Sequence, residues 1–220
     1  MSETPAMAAP AVSRTRLWAE FLGLFVGVPV VMAASFGLYP LFPVVLALGG
    51  VAALLLALTP GFSFAELTKG PVLGQWRLIL GFTMAVAVLC TALVLVLVPG
   101  QFLAIPLYRP ELWLMIMVLY PLLSAAPQEL IYRPLFFRRY GRLFPGETAP
   151  IAVNALVFGL GHLFYMNPIT IASTVVIGAM FGWVYVRTGS FMLVCVLHGL
   201  AGQLVFTLGL GRFFYHGAIG

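Results

Sequence analysis

The chain has 220 residues, of which 62% are hydrophobic and only 8% are charged. Soluble domains carry about 25% charged residues, so this composition excludes an ordinary cytosolic enzyme and a disordered chain. The net charge is +5, but the basic residues are spread between apolar runs instead of sharing one face, which argues against a nucleic-acid partner. Cys90 and Cys195 lie inside apolar runs and are expected to be core residues rather than a disulfide. The composition predicts a polytopic membrane protein.

Taken in order, the chain opens with a polar stretch and continues as apolar runs. Residues 1–16 lack the basic-then-apolar order of a signal peptide, so we expect a disordered cytoplasmic tail. Most of the runs that follow approach the length of about 20 residues that a helix needs to cross the hydrocarbon core. The predicted spans are 17–38, 41–58, 78–98, 112–137, 151–165, 169–186 and 191–210. The fold class is therefore an all-α membrane helical bundle of about seven helices, or eight if residues 101–107 re-enter the membrane.

The basic residues predict the orientation of the bundle. Seven spans that start from a cytoplasmic N-terminus leave only Arg109 and Arg212 on the outer side. The residues on the inner side are Arg14, Arg16, Lys69, Arg77, Arg138, Arg139, Arg142 and Arg187. This positive-inside bias predicts a cytoplasmic N-terminus and an external C-terminus. We expect an integral protein of a bacterial cytoplasmic (inner) membrane.

Ionisable side chains in the hydrocarbon core are costly and are usually functional. Glu20 and Glu111 lie at span ends within reach of water, and we assign no role to them. Polar side chains lie deeper in three of the spans: Gln128, Glu129 and Arg133 in the fourth, Asn154 and His162 in the fifth, and His198 and Gln203 in the seventh.

Three of these deep residues are predicted to share one level of the membrane. Glu129 and His162 are almost equally far, roughly 23 Å at about 1.5 Å per residue, from a hairpin turn at residues 144–146. His198 and Glu129 each lie about 13 Å from the inner boundary by the same rise. One carboxylate and two imidazoles from three helices should therefore meet.

Spacing within the helices adds four local predictions. Glu129 and Arg133 are i,i+4 neighbours that can neutralise each other on one helix face. Asn154, Phe158 and His162 recur every four residues and should share a face of the fifth span. Prolines at positions 127 and 134 should kink the fourth span and free backbone groups. Glycines at positions 178 and 182 have the GxxxG spacing that permits close helix packing.

The motifs resemble those of one family, the CPBP intramembrane endopeptidases (CAAX proteases and bacteriocin-processing enzymes, also called type II CAAX prenyl endopeptidases). Residues 128–133, QELIYR, resemble its E-E-x-x-x-R motif, and residues 158–162, FGLGH, fit F-x-x-x-H. His198 opens the third motif, H-x-x-x-N. The resemblance covers about residues 112–210, and the first three spans resemble nothing in particular. Together with the predicted spans, it divides the chain into N-terminal transmembrane helices at 17–110, a protease-like catalytic core at 111–212 and a C-terminal tail at 213–220.

The resemblance also implies a mechanism, that of a glutamate protease without a serine or cysteine nucleophile. Glu129 and His162 would hold and deprotonate a water molecule, and His198 would donate to the oxyanion. Arg133 would orient the carboxylate, with Gln128, Asn154 and Gln203 as supporting residues. The substrate would be a peptide or protein near the membrane surface, with lipids as the other partners and no cofactor.

Two positions depart from the family pattern. Gln128 stands where the family has its first Glu, and an amide cannot act as a general base. Gly202 stands where Asn is expected, with Gln203 beside it. Either Glu129 has taken the base role and Gln203 the oxyanion role, or the chain has lost proteolysis. We adopt the first interpretation.

Three other functions compete with proteolysis. Glu129, His162 and His198 could form a zinc or iron ligand set, although no H-E-x-x-H pairing is present. A catalytically silent homologue could bind a peptide or lipidated protein as an immunity or scaffold component. A proton-coupled transporter fits poorly, because no internal repeat is evident.

Overall fold

The computed structural model describes residues 12–214 apart from Phe36, Gly37 and Tyr39. Within that part the regular structure is helical, without a strand. The long helices are α1 Arg14–Ala34, α2 Leu41–Ala57, α3 Trp76–Leu97, α4 Pro110–Leu143, α5 Thr148–Leu160, α6 Pro168–Thr188 and α7 Phe191–Leu208. Residues 1–11 of the predicted N-terminal tail and residues 215–220 of the predicted C-terminal tail lie outside the described residues.

The helices confirm an integral membrane helical bundle. Six of them are long and apolar enough to cross a membrane when the adjoining turns are included, which extends α3 to Leu73–Leu97 and α5 to Thr148–Tyr165. Helix α2 is a shorter apolar helix of 17 residues. The segment 101–107 holds only the helical turns Pro99–Gln101 and Ala104–Tyr108, which are too short to cross. The remaining short turns are Phe64–Thr68, Leu73–Gln75, Leu163–Tyr165 and Leu210–Phe213. The number of spans and the orientation of the N-terminus stay predictions.

Helix α4 is the irregular element of the fold. It runs as a continuous helix of 34 residues, but its pitch changes several times. The successive segments are the α-helix Pro110–Tyr120, the π-helix Pro121–Ala125, the α-helix Ala126–Leu130, the π-helix Ile131–Tyr140 and the 3-10 turn Gly141–Leu143. Each π-helix contains a proline, which removes a backbone donor. Such wide turns are frequently found at functional sites.

The N-terminal helix packs on the C-terminal half of α4 through aromatic rings. Phe25 and Phe136 are fully buried, and their ring centroids lie 5.6 Å apart in an edge-to-face arrangement. Beside them Arg139 forms an ion pair with Glu20 at 2.7 Å. The sequence analysis assigned no role to Glu20, and the structure corrects this: its carboxylate joins α1 to α4.

The GxxxG glycines of α6 face α5, as the spacing predicts. A Cβ on Gly178 would stand 2.9 Å from the Phe158 ring, and one on Gly182 would stand 3.1 Å from the Asn154 side chain. Small residues at these positions let the two helices approach closely. This close packing places Asn154 and Phe158 in the centre of the bundle.

Local signals set the start of each C-terminal helix. Gly146 has a φ of 66° in the predicted turn between α4 and α5, a conformation that favours glycine. The Asn167 side chain accepts hydrogen bonds from the first backbone N–H groups of α6, and Ser190 caps α7 in the same way. The turn at Gly146 and the cap at Ser190 mark the starts of the two helices that lead to His162 and His198.

Candidate active site

The Glu129 carboxylate is fully buried, and its two oxygens have different partners. Arg133 Nε donates to Oε2 at 2.8 Å, one turn along α4. His198 Nδ1 on α7 lies 2.7 Å from Oε1. A buried carboxylate is costly unless paired, and here a guanidinium and an imidazole share it. The contact between Glu129 and His198 agrees with the equal depths predicted from the sequence.

The Arg133 guanidinium is held on all sides within the bundle. It lies between the rings of Phe158 and Phe181, whose centroids are 5.0 and 5.7 Å from its Cζ atom. Its Nη1 atom donates to Asn154 Oδ1, and Asn154 Nδ2 donates to the Tyr132 carbonyl at 2.6 Å. Arg133 Nη2 is buried without a hydrogen-bond partner in the described part of the chain. The guanidinium therefore fixes the carboxylate and keeps one donor unused.

His162 follows the C-terminal end of α5 and contacts the same aromatic ring as His198. Its Nδ1 atom lies 2.8 Å from the Phe158 carbonyl oxygen. Because a carbonyl only accepts, this contact requires the proton on Nδ1, and in the neutral ring Nε2 then carries the lone pair. The His162 and His198 ring centroids lie 4.9 and 5.7 Å from that of Phe158. The structure thus gathers both predicted histidines around one phenylalanine.

A cleft of about 60 Å³ reaches His162 between α1, α2 and α4. Its walls are mostly apolar, including Val28 and Val45, and its polar end includes Ser124, Gln128 and His162. This volume holds more than one water molecule. Gln128 Nε2 donates to Ser124 Oγ at 2.9 Å, which leaves the Gln128 carbonyl oxygen able to accept from water. The cleft is therefore lined by His162 and by the Gln128 amide, and not by the buried carboxylate of Glu129.

Gln203 joins two helices through its side-chain amide. Its Nε2 atom donates to the Met117 carbonyl of α4 at 2.8 Å. This bond uses one of the two N–H donors of the amide nitrogen and joins α4 to α7. The oxyanion role of Gln203 stays a prediction.

The alternative metal site can be compared with the described side chains. Over the described residues, no group of three or more His, Cys, Asp or Glu side chains is placed to hold a metal ion. In the alternative ligand set the Glu129 carboxylate is already bound by Arg133, whose positive charge disfavours a cation beside it. The zinc or iron site has no structural support here and stays an untested alternative.

One residue near the site was missed by reasoning from the sequence. The Tyr120 ring lies 6.1 Å from the His198 ring and 5.6 Å from the Phe206 ring, centroid to centroid. The signal that could have found it is Gly202, one turn after His198, because a glycine on an inward helix face leaves space for a large neighbour.

Comparison with known proteins gives one match. Residues 110–202 match the family model described as Type II CAAX prenyl endopeptidase Rce1-like. The matched segment contains Glu129, Arg133, His162 and His198. No curated protein and no solved structure matches the chain.

Proposed function

Because the chain belongs, through residues 110–202, to the Rce1-like family of type II CAAX prenyl endopeptidases, we propose that it is an intramembrane endopeptidase. It hydrolyses a peptide bond of a membrane-associated protein or peptide. One observation carries the proposal: His162 and His198 each have Nδ1 bonded to an acceptor, which leaves both Nε2 atoms for chemistry, and His162 also lines a cleft large enough for water.

His162 is the general base. Its unprotonated Nε2 takes a proton from a water molecule that also donates to the Gln128 carbonyl oxygen. The water oxygen forms a bond to the carbonyl carbon of the substrate, and the electron pair of the carbonyl moves to its oxygen. The C–N bond then breaks as His162 gives the proton to the leaving amine.

His198 stabilises the oxyanion in the tetrahedral intermediate. With both ring nitrogens protonated, Nε2–H donates to the oxyanion while Nδ1–H donates to Glu129. The carboxylate holds the ring in this orientation and stabilises the imidazolium charge, as an acidic partner does for histidine in hydrolases. Arg133 and Asn154 hold the carboxylate in place.

The role proposed for Glu129 differs from the sequence-based prediction, in which Glu129 activates water together with His162. Its side chain is fully buried, and both of its oxygens are engaged. These contacts support a role exerted through His198. Direct activation of water by Glu129 remains the alternative, and mutational coupling to His198 separates the two.

The test compares wild type with Glu129→Gln and His162→Ala in detergent, against a mixed peptide library read by mass spectrometry. Glu111→Gln is the matched control, because Glu111 is an exposed carboxylate in the first turn of the same helix. We expect cleavage by wild type and control, and none by the other two variants. Cleavage by either of them at the wild-type rate contradicts the proposal.

A second candidate, a catalytically silent binding or immunity protein, is favoured by the amide of Gln128 at the end of the cleft. It predicts that folded wild type cleaves no peptide and that Glu129→Gln still binds its partner. A bulky residue in the cleft, Ser124→Phe, would abolish that binding, because Ser124 lines the polar end.

A further inference from the structure

Tyr120 occupies the space beside Gly202 on α7. A Cβ built on Gly202 would overlap the Tyr120 ring, and its nearest neighbours are Cε1, Cζ and the hydroxyl oxygen of that tyrosine. Any side chain at position 202 would therefore displace the ring. Gly202 is one turn after His198 on the same face of α7, so the tyrosine hydroxyl lies at the edge of the site.

Contacts on both sides of Tyr120 hold α4 against α7. They pair residues of the two helices in antiparallel order: Trp113 with Thr207, Met117 with Gln203, and Pro121 with Gly199. The first two are hydrogen bonds of 2.9 and 2.8 Å. The third is close packing, with the Pro121 Cβ 3.3 Å from where a Cβ on Gly199 would stand. The ring of Tyr120 is thus positioned before any substrate arrives.

The hydroxyl of Tyr120 is unused in the resting protein. It forms no hydrogen bond to another residue that the structure describes. The ring makes edge contacts with His198 and Phe206, and the hydroxyl sits at the seam between two helices. A phenol O–H group usually has a hydrogen-bond partner. The Tyr120 hydroxyl keeps some accessible surface, because Arg133 Nη2 is the only buried side-chain nitrogen or oxygen atom without a partner in the described part of the chain. A substrate oxygen that reaches this surface can accept its hydrogen bond.

We propose that Tyr120 is a catalytic residue whose hydroxyl donates a hydrogen bond to the oxyanion, beside His198. The inference rests on the proposed endopeptidase function. The phenol donates as a neutral group, so no proton is transferred and no covalent bond changes at Tyr120. The hydroxyl stands where a side-chain amide at position 202 would reach, which accounts for the glycine there.

The first test is Tyr120→Phe, which keeps the ring that packs on Gly202 and removes only the hydroxyl. Loss of one oxyanion donor lowers kcat about 10²–10³-fold, and we expect KM to stay the same because the substrate carbonyl is not yet an anion. Tyr108→Phe is the matched control, because Tyr108 is 78% exposed. A wild-type kcat for Tyr120→Phe overturns the inference.

A reciprocal exchange tests the position of the donor. Gly202→Asn alone should lower activity, because the new side chain meets the Tyr120 ring. Tyr120→Ala/Gly202→Asn has room for the amide and should cleave faster than Tyr120→Ala. A double variant no faster than Tyr120→Ala contradicts a donor at this place.

A binding measurement separates this inference from the proposed function. The probe is an apolar peptide with a phosphinate in place of one amide, which presents a tetrahedral anion, and its unmodified counterpart is the control ligand. We expect Tyr120→Phe to weaken phosphinate binding at least about tenfold and peptide binding not at all. If wild type cleaves no peptide but Tyr120→Phe still weakens phosphinate binding, only the endopeptidase proposal fails. If wild type and Tyr120→Phe bind the phosphinate equally, or neither binds it, the donor role fails whatever the turnover.

Discussion

Helix α4 carries two Arg–Glu networks that use the same chemistry in different ways. At its C-terminal end Arg139 binds Glu20 of α1 through Nε and Nη2, at 2.7 and 3.0 Å, and Thr59 through Nη1 at 3.0 Å. In its central part Arg133 binds Glu129 through Nε and Asn154 through Nη1. The two arginines lie six positions apart on one helix.

The two networks differ in how many of their hydrogen-bonding groups lack a protein partner. All three nitrogens of Arg139 have protein partners, and Tyr140 and Arg16 also donate to the Glu20 carboxylate. The Arg133 network keeps Arg133 Nη2 without a partner and presents a histidine toward the space between helices. The complete network holds α1 against α4, and we propose that the incomplete one acts in the reaction through His198.

The largest expected effect comes from breaking the inner network, which is the network of Arg133 and Glu129. Glu129→Gln and His198→Gln should each lower kcat/KM by about 10³-fold or more. The double variant should lose little beyond the larger single loss, because Glu129 acts through His198. Steady-state kinetics of the four proteins measure the coupling. Losses that multiply would show instead that Glu129 activates the water directly.

Replacing the inner arginine tests the geometry of its side chain. Arg133→Lys keeps the charge but cannot donate to Glu129 and Asn154 together or stack in the same way between two rings. We expect a loss of about 10–10²-fold in kcat/KM. Arg142→Lys, at an exposed position near the end of the same helix, is the control and should retain full activity. Equal activities would mean that the fork geometry of Arg133 is not needed.

Changes in the outer network, which is the network of Arg139 and Glu20, should alter the stability of the fold and not the rate of cleavage. Arg139→Gln leaves Glu20 without its main partner and should lower the free energy of unfolding by about 2–3 kcal/mol. Activity per folded molecule should stay the same, because Arg139 does not contact the site. A thermal-unfolding curve in detergent and an active-fraction assay give the two quantities. A loss of specific activity in the folded protein would contradict separate roles for the two networks.

The smallest effect is expected at Arg16, the exposed partner of the Glu20 carboxylate. Arg16 also binds Glu20, at 2.9 Å, but its side chain is 64% exposed. Arg16→Gln should lower stability by less than about 0.5 kcal/mol. A shift in Tm as large as that of Arg139→Gln would show that burial does not distinguish the two pairs.

The contact between Glu129 and His198 agrees with the common level predicted for them, because helix rise is constant and turns are visible in the residues. The level of Glu129 is counted from the hairpin turn and from Arg138, and that of His198 from Gly189. The family was likewise predicted from three motifs whose order the matched segment retains. The face of α4 on which a residue lies was less accessible, because the π-helices before and after residues 126–130 change the angle between successive side chains.

Partners distant in the sequence escaped prediction for a second reason. Glu20 and Arg139 are 119 residues apart, and no spacing rule links them. The bond from Gln203 to the Met117 carbonyl, 86 residues away, was likewise not predicted. Tyr120 was missed because the space it fills is defined by a glycine on another helix. Such pairings follow from helix packing, which periodicity alone does not encode.

The most direct test of the central claim is proteolysis in water enriched in oxygen-18. Wild type, His162→Ala and Glu111→Gln are each incubated with the mixed peptide library, and the products are weighed by mass spectrometry. We predict that wild type and Glu111→Gln form new C-terminal carboxylates carrying one heavy oxygen, and that His162→Ala forms none. Cleavage by His162→Ala at the wild-type rate, or no labelled product from folded wild type, would contradict a hydrolase that uses His162 as its base.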